Sequence, residues 1–288
     1  MIALRSGGAV LDLLPEVGGA VSRFSVDGAD VLRAAPARTQ DVLQTGCFPL
    51  VPFANRIANG LFDFGGETIR LPRNFGDHPH VLHGQGWQSR WHVETLGQST
   101  AQLSFDHAAG VWPWRYSARQ SFELTPHSLH IGLAILNLDS RAMPVSLGFH
   151  PYFLRLPQTR LQADVKGVWL SDEPGIPTRR AAPSHFLDLA KGAPLAAAPF
   201  VDHCHFGWSG KATIEQPDQG RELRFSASPE LDFLHCYVPT DANYFCVEPV
   251  SAMPDAFHHR DFPNGLRALQ RDESFTVSLQ ISVLIHTH

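Results

Sequence analysis

No stretch of this chain approaches the ~20 consecutive apolar residues of a membrane-spanning helix, and Met1-Ile2-Ala3-Leu4-Arg5-Ser6-Gly7-Gly8 lacks the apolar core of a secretion signal. The expectation is a cytoplasmic protein that does not enter a membrane. Basic residues are short in supply: 23 Lys and Arg against 28 Asp and Glu leave a formal charge of -5. That balance lacks the cationic field needed to hold nucleic acid or an anionic bilayer, so the expected partner is a small molecule. Only four cysteines occur, Cys47, Cys204, Cys236 and Cys246, and none forms a C-x-x-C pair. Reduced, buried thiols suit that pattern better than a disulfide frame or a structural zinc site. Histidine is abundant, with His78-x-His80, His203-x-His205 and His258-His259 among 16 residues. Yet no H-E-x-x-H is present and no carboxylate completes a recognisable ligand set, so no metal is expected.

Helical periodicity is also scarce, and what replaces it is alternation with a period of two. Tyr116, Ala118, Gln120, Phe122 and Leu124 alternate up to a Thr125-Pro126-His127-Ser128 turn, and Leu129, Ile131, Leu133 and Ile135 return from it, which predicts a long antiparallel hairpin. Ala20, Ser22, Phe24 and Val26 lead into Asp27-Gly28, a strong hairpin turn, with Val31-Leu32 following. Leu223-Phe225 and Leu231-Phe233 continue the sheet, and Phe275 to Ile285 makes the last strand. Punctuation by 22 prolines and 23 glycines suits many short strands and opposes a helix bundle. The fold class predicted is all-β, a large antiparallel β-sandwich spanning 1–288 as one domain. The Ala/Pro-rich stretch from Arg180 to Pro199 reads as an excursion over the sheet and not a linker.

Two strands carry the candidate chemistry. Val145-Ser146-Leu147-Gly148-Phe149-His150 places Val145, Leu147 and Phe149 on one face and Ser146, Gly148 and His150 on the other, before Pro151, a proline expected to stop the sheet. Tyr244-Phe245-Cys246-Val247-Glu248-Pro249 repeats the design, with Glu248 on the face opposite Phe245 and Val247. A lone histidine is most often a hydrogen-bonded structural residue. Delivered with a carboxylate to one groove, it becomes half of an acid–base pair acting on neighbouring substrate atoms. Between the first strands and Trp91 lies a polar, glycine-rich region, Asn55-Arg56-Ile57-Ala58-Asn59-Gly60 and Val81-Leu82-His83-Gly84-Gln85-Gly86, that suits hydroxyl recognition.

Those segments resemble the aldose 1-epimerases, the galactose mutarotase family. The resemblance rests on Asn55-Arg56-Ile57 with Gly60 and Phe62, Leu82-His83-Gly84, Gly148-Phe149-His150-Pro151-Tyr152-Phe153, Asp202-His203, and Val247-Glu248-Pro249 with Pro254-Asp255-Ala256, in order across nearly the whole chain. It implies a galactose mutarotase-like supersandwich and a cofactor-free interconversion of the α and β anomers of a free monosaccharide. Glu248 then matches the base at the anomeric hydroxyl and His150 the acid at the ring oxygen. Arg56, His83 and Asp202 match substrate-binding positions. A monomer or homodimer acting on a neutral aldose such as galactose or glucose is expected.

Gln85 stands where the family often has a second glycine after His-Gly, and Leu154-Arg155 where Asn-Leu often follows the His-x-Tyr-Phe run; both bear on which sugar fits. Trp87-Gln88-Ser89-Arg90 and Trp112-Pro113-Trp114 are candidates for an aromatic wall, although tryptophan in an all-β protein is more often core. His203 and His205 read as loop or core residues. Two other functions compete: a β-sandwich glycosidase or lyase using Glu248 with Asp202, and an inert carbohydrate-binding protein on the same fold.

Overall fold

Alternation along the strands is satisfied by two large antiparallel sheets. The computed structural model describes residues 1–259 and 263–286, and the helices among them are five single 3-10 turns of three residues. A nine-stranded sheet runs in the spatial order His92–Leu96, Thr100–His107, Tyr116–Leu124, Ser128–Asn137, Ser274–Ile285, Arg221–Ala227, Lys211–Gln216, Arg160–Ala163 and Ala193–Pro194. An eight-stranded sheet runs Pro177–Ala181, Gly167–Ser171, Val201–Phe206, Phe233–Val238, Tyr244–Val250, Gly148–Phe149 and Pro49–Leu50, with Tyr152–Leu154 pairing beside Gly148–Phe149 on Tyr244–Val250. A four-stranded sheet of Ile2–Ser6, Ala9–Leu14, Ala20–Val26 and Ala29–Asp30 forms the N-terminal part.

The predicted hairpin pairs Tyr116 with Asn137 through Leu124 with Leu129, and Ser274–Ile285 lies against its second strand. Phe275, Val277, Leu279, Ile281 and Val283 are buried on the inner face of that last strand. They meet inward residues of the eight-stranded sheet, among them Phe153, Leu234, Cys236, Phe245 and Val247, in one continuous apolar cluster. Phe153 and Phe225 close the gap between the layers with ring centroids 5.8 Å apart. Each such side chain, fully buried, contributes ~1.5–3 kcal/mol, so this interlayer seam is the main source of stability. Asp27 (φ 49°) and Gly28 (φ 81°) make the expected left-handed hairpin turn.

Three local readings differ from the structure. The strand expected around His150 is three short ones, Met143–Val145, Gly148–Phe149 and Tyr152–Leu154, and pairing resumes after Pro151 where a stop was expected. The faces nevertheless fall as predicted, with Val145, Leu147 and Phe149 in the core. Pro249 sits inside Tyr244–Val250 where, on one side, pairing is interrupted between Gly148↔Val250 and Tyr152↔Cys246 at unchanged register, leaving room for a residue without an N–H. Leu231 precedes the strand that begins at Phe233, and that strand belongs to a different sheet from Leu223–Phe225. The Arg180–Pro199 excursion carries the chain from the edge of the eight-stranded sheet to the edge of the nine-stranded one.

Candidate active site

The outward face of the eight-stranded sheet is where ionisable side chains collect. Cross-strand register places Cys204, His235 and Glu248 in one row, and Asp202, Tyr237, Cys246 and Tyr152 in the next. Segments bearing Arg56, His83, Trp87 and Gly175 surround these rows and line a cavity of about 590 Å³. All five residues singled out from the sequence, Arg56, His83, His150, Asp202 and Glu248, line it.

His150 and Glu248 meet at its floor, with Nε2 and Oε1 3.2 Å apart. His150 is held in an aromatic cluster: its ring packs on Phe48 (centroids 4.5 Å, 27°) and on Tyr152 (4.7 Å, 23°), which are themselves 6.1 Å apart, and the Arg33 guanidinium lies 3.8 Å from the Tyr152 ring. Its backbone N–H donates to Phe48 O at 3.0 Å, fixing the approach of the two segments. Gly148 is required by this packing, since a Cβ there would lie 2.8 Å from Pro249 O and 2.7 Å from the Val250 side chain. Burial first, then the Asp202 charge, pushes the Glu248 carboxyl well above the ordinary carboxylate range. Burial, with His235 adding to it, pulls the His150 imidazole down to about 3. The two opposed shifts leave the pair holding one proton over a wide pH range.

A second network stands beside the first. Asp202 accepts from the Arg56 guanidinium at Oδ2 and contacts His235 Nε2 at Oδ1, both at 2.7 Å. Arg56 also donates to Asn55 Oδ1 at 3.1 Å, which orients the Asn55 amide so that its Nδ2 donates to His235 Nδ1 at 3.2 Å. His235 therefore carries its proton on Nε2 and donates it to Asp202. Burial opposes ionisation of Asp202, but the hydrogen bond and charge of His235 and those of Arg56 outweigh it and hold the carboxyl below the usual range. His83 accepts the Asn55 backbone N–H at Nδ1 (3.1 Å), so its Nε2 is the donor. Burial, with His150 adding to it, holds this imidazole well below its ordinary pKa.

Local backbone strain concentrates here. Asn55 (φ 59°), Asn59 (φ 54°), His83 (φ 57°) and Asp255 (φ 56°) are left-handed without being glycine. Asn, Asp and His are the residue types that tolerate this best, and such strain persists only where the surroundings enforce it. Asp255 supplies that enforcement for the Arg56 segment: its N–H donates to Arg56 O (2.8 Å), and its Oδ1 accepts from Ala58 N–H (2.9 Å). Gly84 (φ 72°) continues the His83 turn, where a Cβ would come within 2.5 Å of Val51 O.

The chain has counterparts among known proteins. The family profile described as aldose 1-epimerase matches residues 1–282. The chain belongs to the aldose 1-epimerase family. It is 34% identical to the uncharacterised Escherichia coli K12 protein YphB over 290 residues, covering 97% of each chain. An E. coli K12 crystal structure provisionally described as an aldose 1-epimerase superposes with a TM-score of 0.91 at 32% identity, covering 98% of each chain. The galactose 1-epimerase of Lactobacillus acidophilus NCFM shares the fold at a TM-score of 0.79 and 16% identity, with 98% of this chain and 93% of that one covered. These relatives confirm the supersandwich fold.

Within this member of the family, one site residue, His235, escaped the sequence reading, and another, Asn55, was read only as part of a polar segment. His235 and Asn55 complete the Asp202 network, and the only signal for His235 was its place between the core residues Leu234 and Cys236 in an alternating strand. His203, read as loop or core, lines the cavity instead, stacked on Phe186 with centroids 4.3 Å apart. His205 is core, with Nδ1 3.3 Å from Leu234 O. Of the tryptophans, Trp87 lines the cavity, while Trp112 and Trp114 belong to the main apolar core, packed on Phe53, Phe62, Phe64 and Phe257. The family departures are accounted for by structure: Gln85 accepts from the Tyr116 hydroxyl at 3.3 Å, and Arg155 donates to Leu195 O at 2.9 Å and to Pro239 O. Among the described residues, no helix is long and apolar enough to cross a membrane.

Proposed function

We propose that this protein is a mutarotase that interconverts the α and β anomers of a free neutral aldose, galactose and glucose first among them. The observation that carries the reading is the buried His150–Glu248 contact at the cavity floor. The anomeric hydroxyl and the ring oxygen are bonded to the same carbon, so a base and an acid serving them must themselves be neighbours. Glu248 removes the proton from the anomeric hydroxyl while His150 protonates the ring oxygen, and the ring opens. Rotation about the bond next to the carbonyl presents its other face, and the same groups run in reverse to close the ring.

Proton bookkeeping supports this assignment. One proton on the pair suffices for the whole cycle: it starts on His150, and after opening Glu248 holds the one from the sugar. Burial in the free protein favours Glu248 as its holder. Moving it to His150 along the 3.2 Å contact leaves the net charge unchanged, so bound hydroxyls need only tip an existing equilibrium. Arg56, His83 and Asp202 then position the sugar: His83 Nε2–H donates, and Asp202, pinned by Arg56 and His235, accepts. Holding the open chain matters as much as acidity, because it must not drift before the ring recloses. No cofactor enters the scheme.

The cavity wall supports a neutral substrate. Arg56 is the one Arg or Lys among the described residues lining it, whereas Asp172, Glu173, Asp202 and Glu248 are all acidic. A phosphorylated sugar calls for several converging cations and would be repelled here. The deciding experiment is polarimetry of freshly dissolved α-galactose, α-glucose and α-glucose 6-phosphate with and without the protein. Catalysed decay toward equilibrium rotation for the neutral sugars is expected. Its absence for every aldose, or preference for the phosphate ester, would refute the proposal. Release of new reducing ends from oligosaccharides would transfer the site to the glycosidases.

A further inference from the structure

Cys246 lies two residues before Glu248 on the same strand face, and its cross-strand neighbour is Tyr152, two residues beyond His150. One donor atom from each of His150, Cys246 and Glu248 lies within 4.8 Å of the other two, and all three residues are buried, at 9%, 0% and 2% exposure. Glu248 Oε2 and His150 Nδ1 are buried without a hydrogen-bond partner. An imidazole, a carboxylate and a thiol in so small a volume exceed what proton transfer to a sugar uses, since the scheme above gives Cys246 no task.

We propose that His150, Cys246 and Glu248 form a site for a thiophilic divalent cation of the zinc type, and that such an ion switches the mutarotase off by occupying its proton-transfer pair. The inhibitory part rests on the mutarotase reading; the site itself rests on the donors. Bonds of ~2.0–2.1 Å to imidazole nitrogen, ~2.0–2.2 Å to carboxylate oxygen and ~2.3 Å to thiolate sulfur bring three donors somewhat closer than they now stand, within reach of small side-chain rotations. The donor set selects the ion: sulfur and nitrogen favour zinc or cadmium over magnesium or calcium, which prefer oxygen alone. Binding is balanced by the release of two protons, one from the thiol and one shared by His150 and Glu248. Without its proton and with its carboxylate bound, the pair can neither donate to the ring oxygen nor accept from the anomeric hydroxyl. The ion enters through the cavity that His150 and Glu248 line, so it competes with sugar for the same space.

The test begins with protein treated with chelator and then freed of it, so that the metal-free rate is established by polarimetry. Zinc chloride added at micromolar concentrations should reduce that rate at least about tenfold, and raising the sugar concentration should relieve the effect. Cadmium added to the same protein should produce a sulfur-to-metal charge-transfer band in the ultraviolet. Cys246→Ala, which leaves the acid–base pair in place, should keep the metal-free rate, lose the band, and need at least about tenfold more zinc for half-inhibition. Inhibition undiminished in Cys246→Ala would place the ion elsewhere, for instance on the His78 and His80 pair, and overturn the proposal. So would a wild-type rate indifferent to zinc, or one that zinc increases. Metal-free protein inactive toward every aldose would refute the mutarotase reading alone, because the cadmium band and its loss in Cys246→Ala report on the site without any turnover.

Discussion

The two faces of the strands Phe233–Val238 and Tyr244–Val250 share one backbone and obey opposite rules. Inward, Leu234, Cys236, Val238, Phe245 and Val247 fill the interlayer core, where every contact lowers the free energy. Outward, His235 and Glu248 stand side by side, buried to 2% exposure each, with a carboxylate oxygen left unpaired. One face supplies stability and the other consumes it, because desolvated ionisable groups without full hydrogen bonding are costly. Burial of this kind supports the proposed site, whose charges are reserved for a ligand. The strands can hold Glu248 in that state because their other face is anchored.

The sharpest way to break this contrast is to change the outward face chemically while leaving its shape. Glu248→Gln and His150→Asn should each lower turnover by roughly 10²–10⁴-fold in folded protein, measured by polarimetry, as expected for a lost acid or base. Near wild-type turnover in either would remove that residue from the reaction. The inward face should respond in the opposite currency: Phe245→Ala should destabilise by ~3–5 kcal/mol in denaturant unfolding while turnover per folded molecule stays close to wild type. A large loss of turnover there at full folding would mean that the faces are not separable.

Acid should expose the buried histidines. Burial lowers His150 to about 3 and His205 to about 4, and holds His83 well below its ordinary value. Between pH 6.5 and about 4 the unfolded chain takes up protons that the folded one refuses. Each such group then removes up to ~1.4 kcal/mol of stability per pH unit of fall. Unfolding midpoints should drop steeply below pH 6.5; a flat profile down to pH 4 would contradict the buried imidazoles. For Glu248 the sign is reversed. Its raised pKa means that the unfolded carboxyl ionises while the folded one does not, so stability present below the ordinary carboxylate range is lost as pH rises. Glu248→Gln should therefore unfold at a higher temperature than wild type at pH 7, with the gain vanishing near pH 4. A variant no more stable at pH 7 would show that the carboxylate is better solvated than its burial indicates.

The smallest effect belongs to His235. His235→Ala leaves Arg56 in place but removes one of the two donors to Asp202, and kcat/KM should fall about tenfold. Unchanged kcat/KM at full folding would make the Asn55–His235–Asp202 chain a purely structural bracket.

Much of this molecule was legible in one dimension. Alternation in Tyr116–Leu124 and Ser274–Ile285 is a local consequence of strand geometry facing one core, so the all-β sandwich and its inner faces followed from residue order. The faces of His150 and Glu248 could be read the same way, even though the strand around His150 is broken into pieces. His235 could not be singled out, since a histidine between Leu234 and Cys236 has the same sequence signature whether it meets solvent, core or a carboxylate. Its role depends on register, which pairs it with Glu248 on one side and Cys204 on the other. Register is a long-range property, fixed by pairings between residues far apart in the chain. The same holds for the contact between His150 and Glu248, for the bracket of Asn55 around Asp202, and for the closeness of Cys246 to both. By itself the amino-acid order determined which side chains face which way; only the tertiary structure decided which of them meet, because charges and hydrogen bonds act through distances that the chain order does not contain.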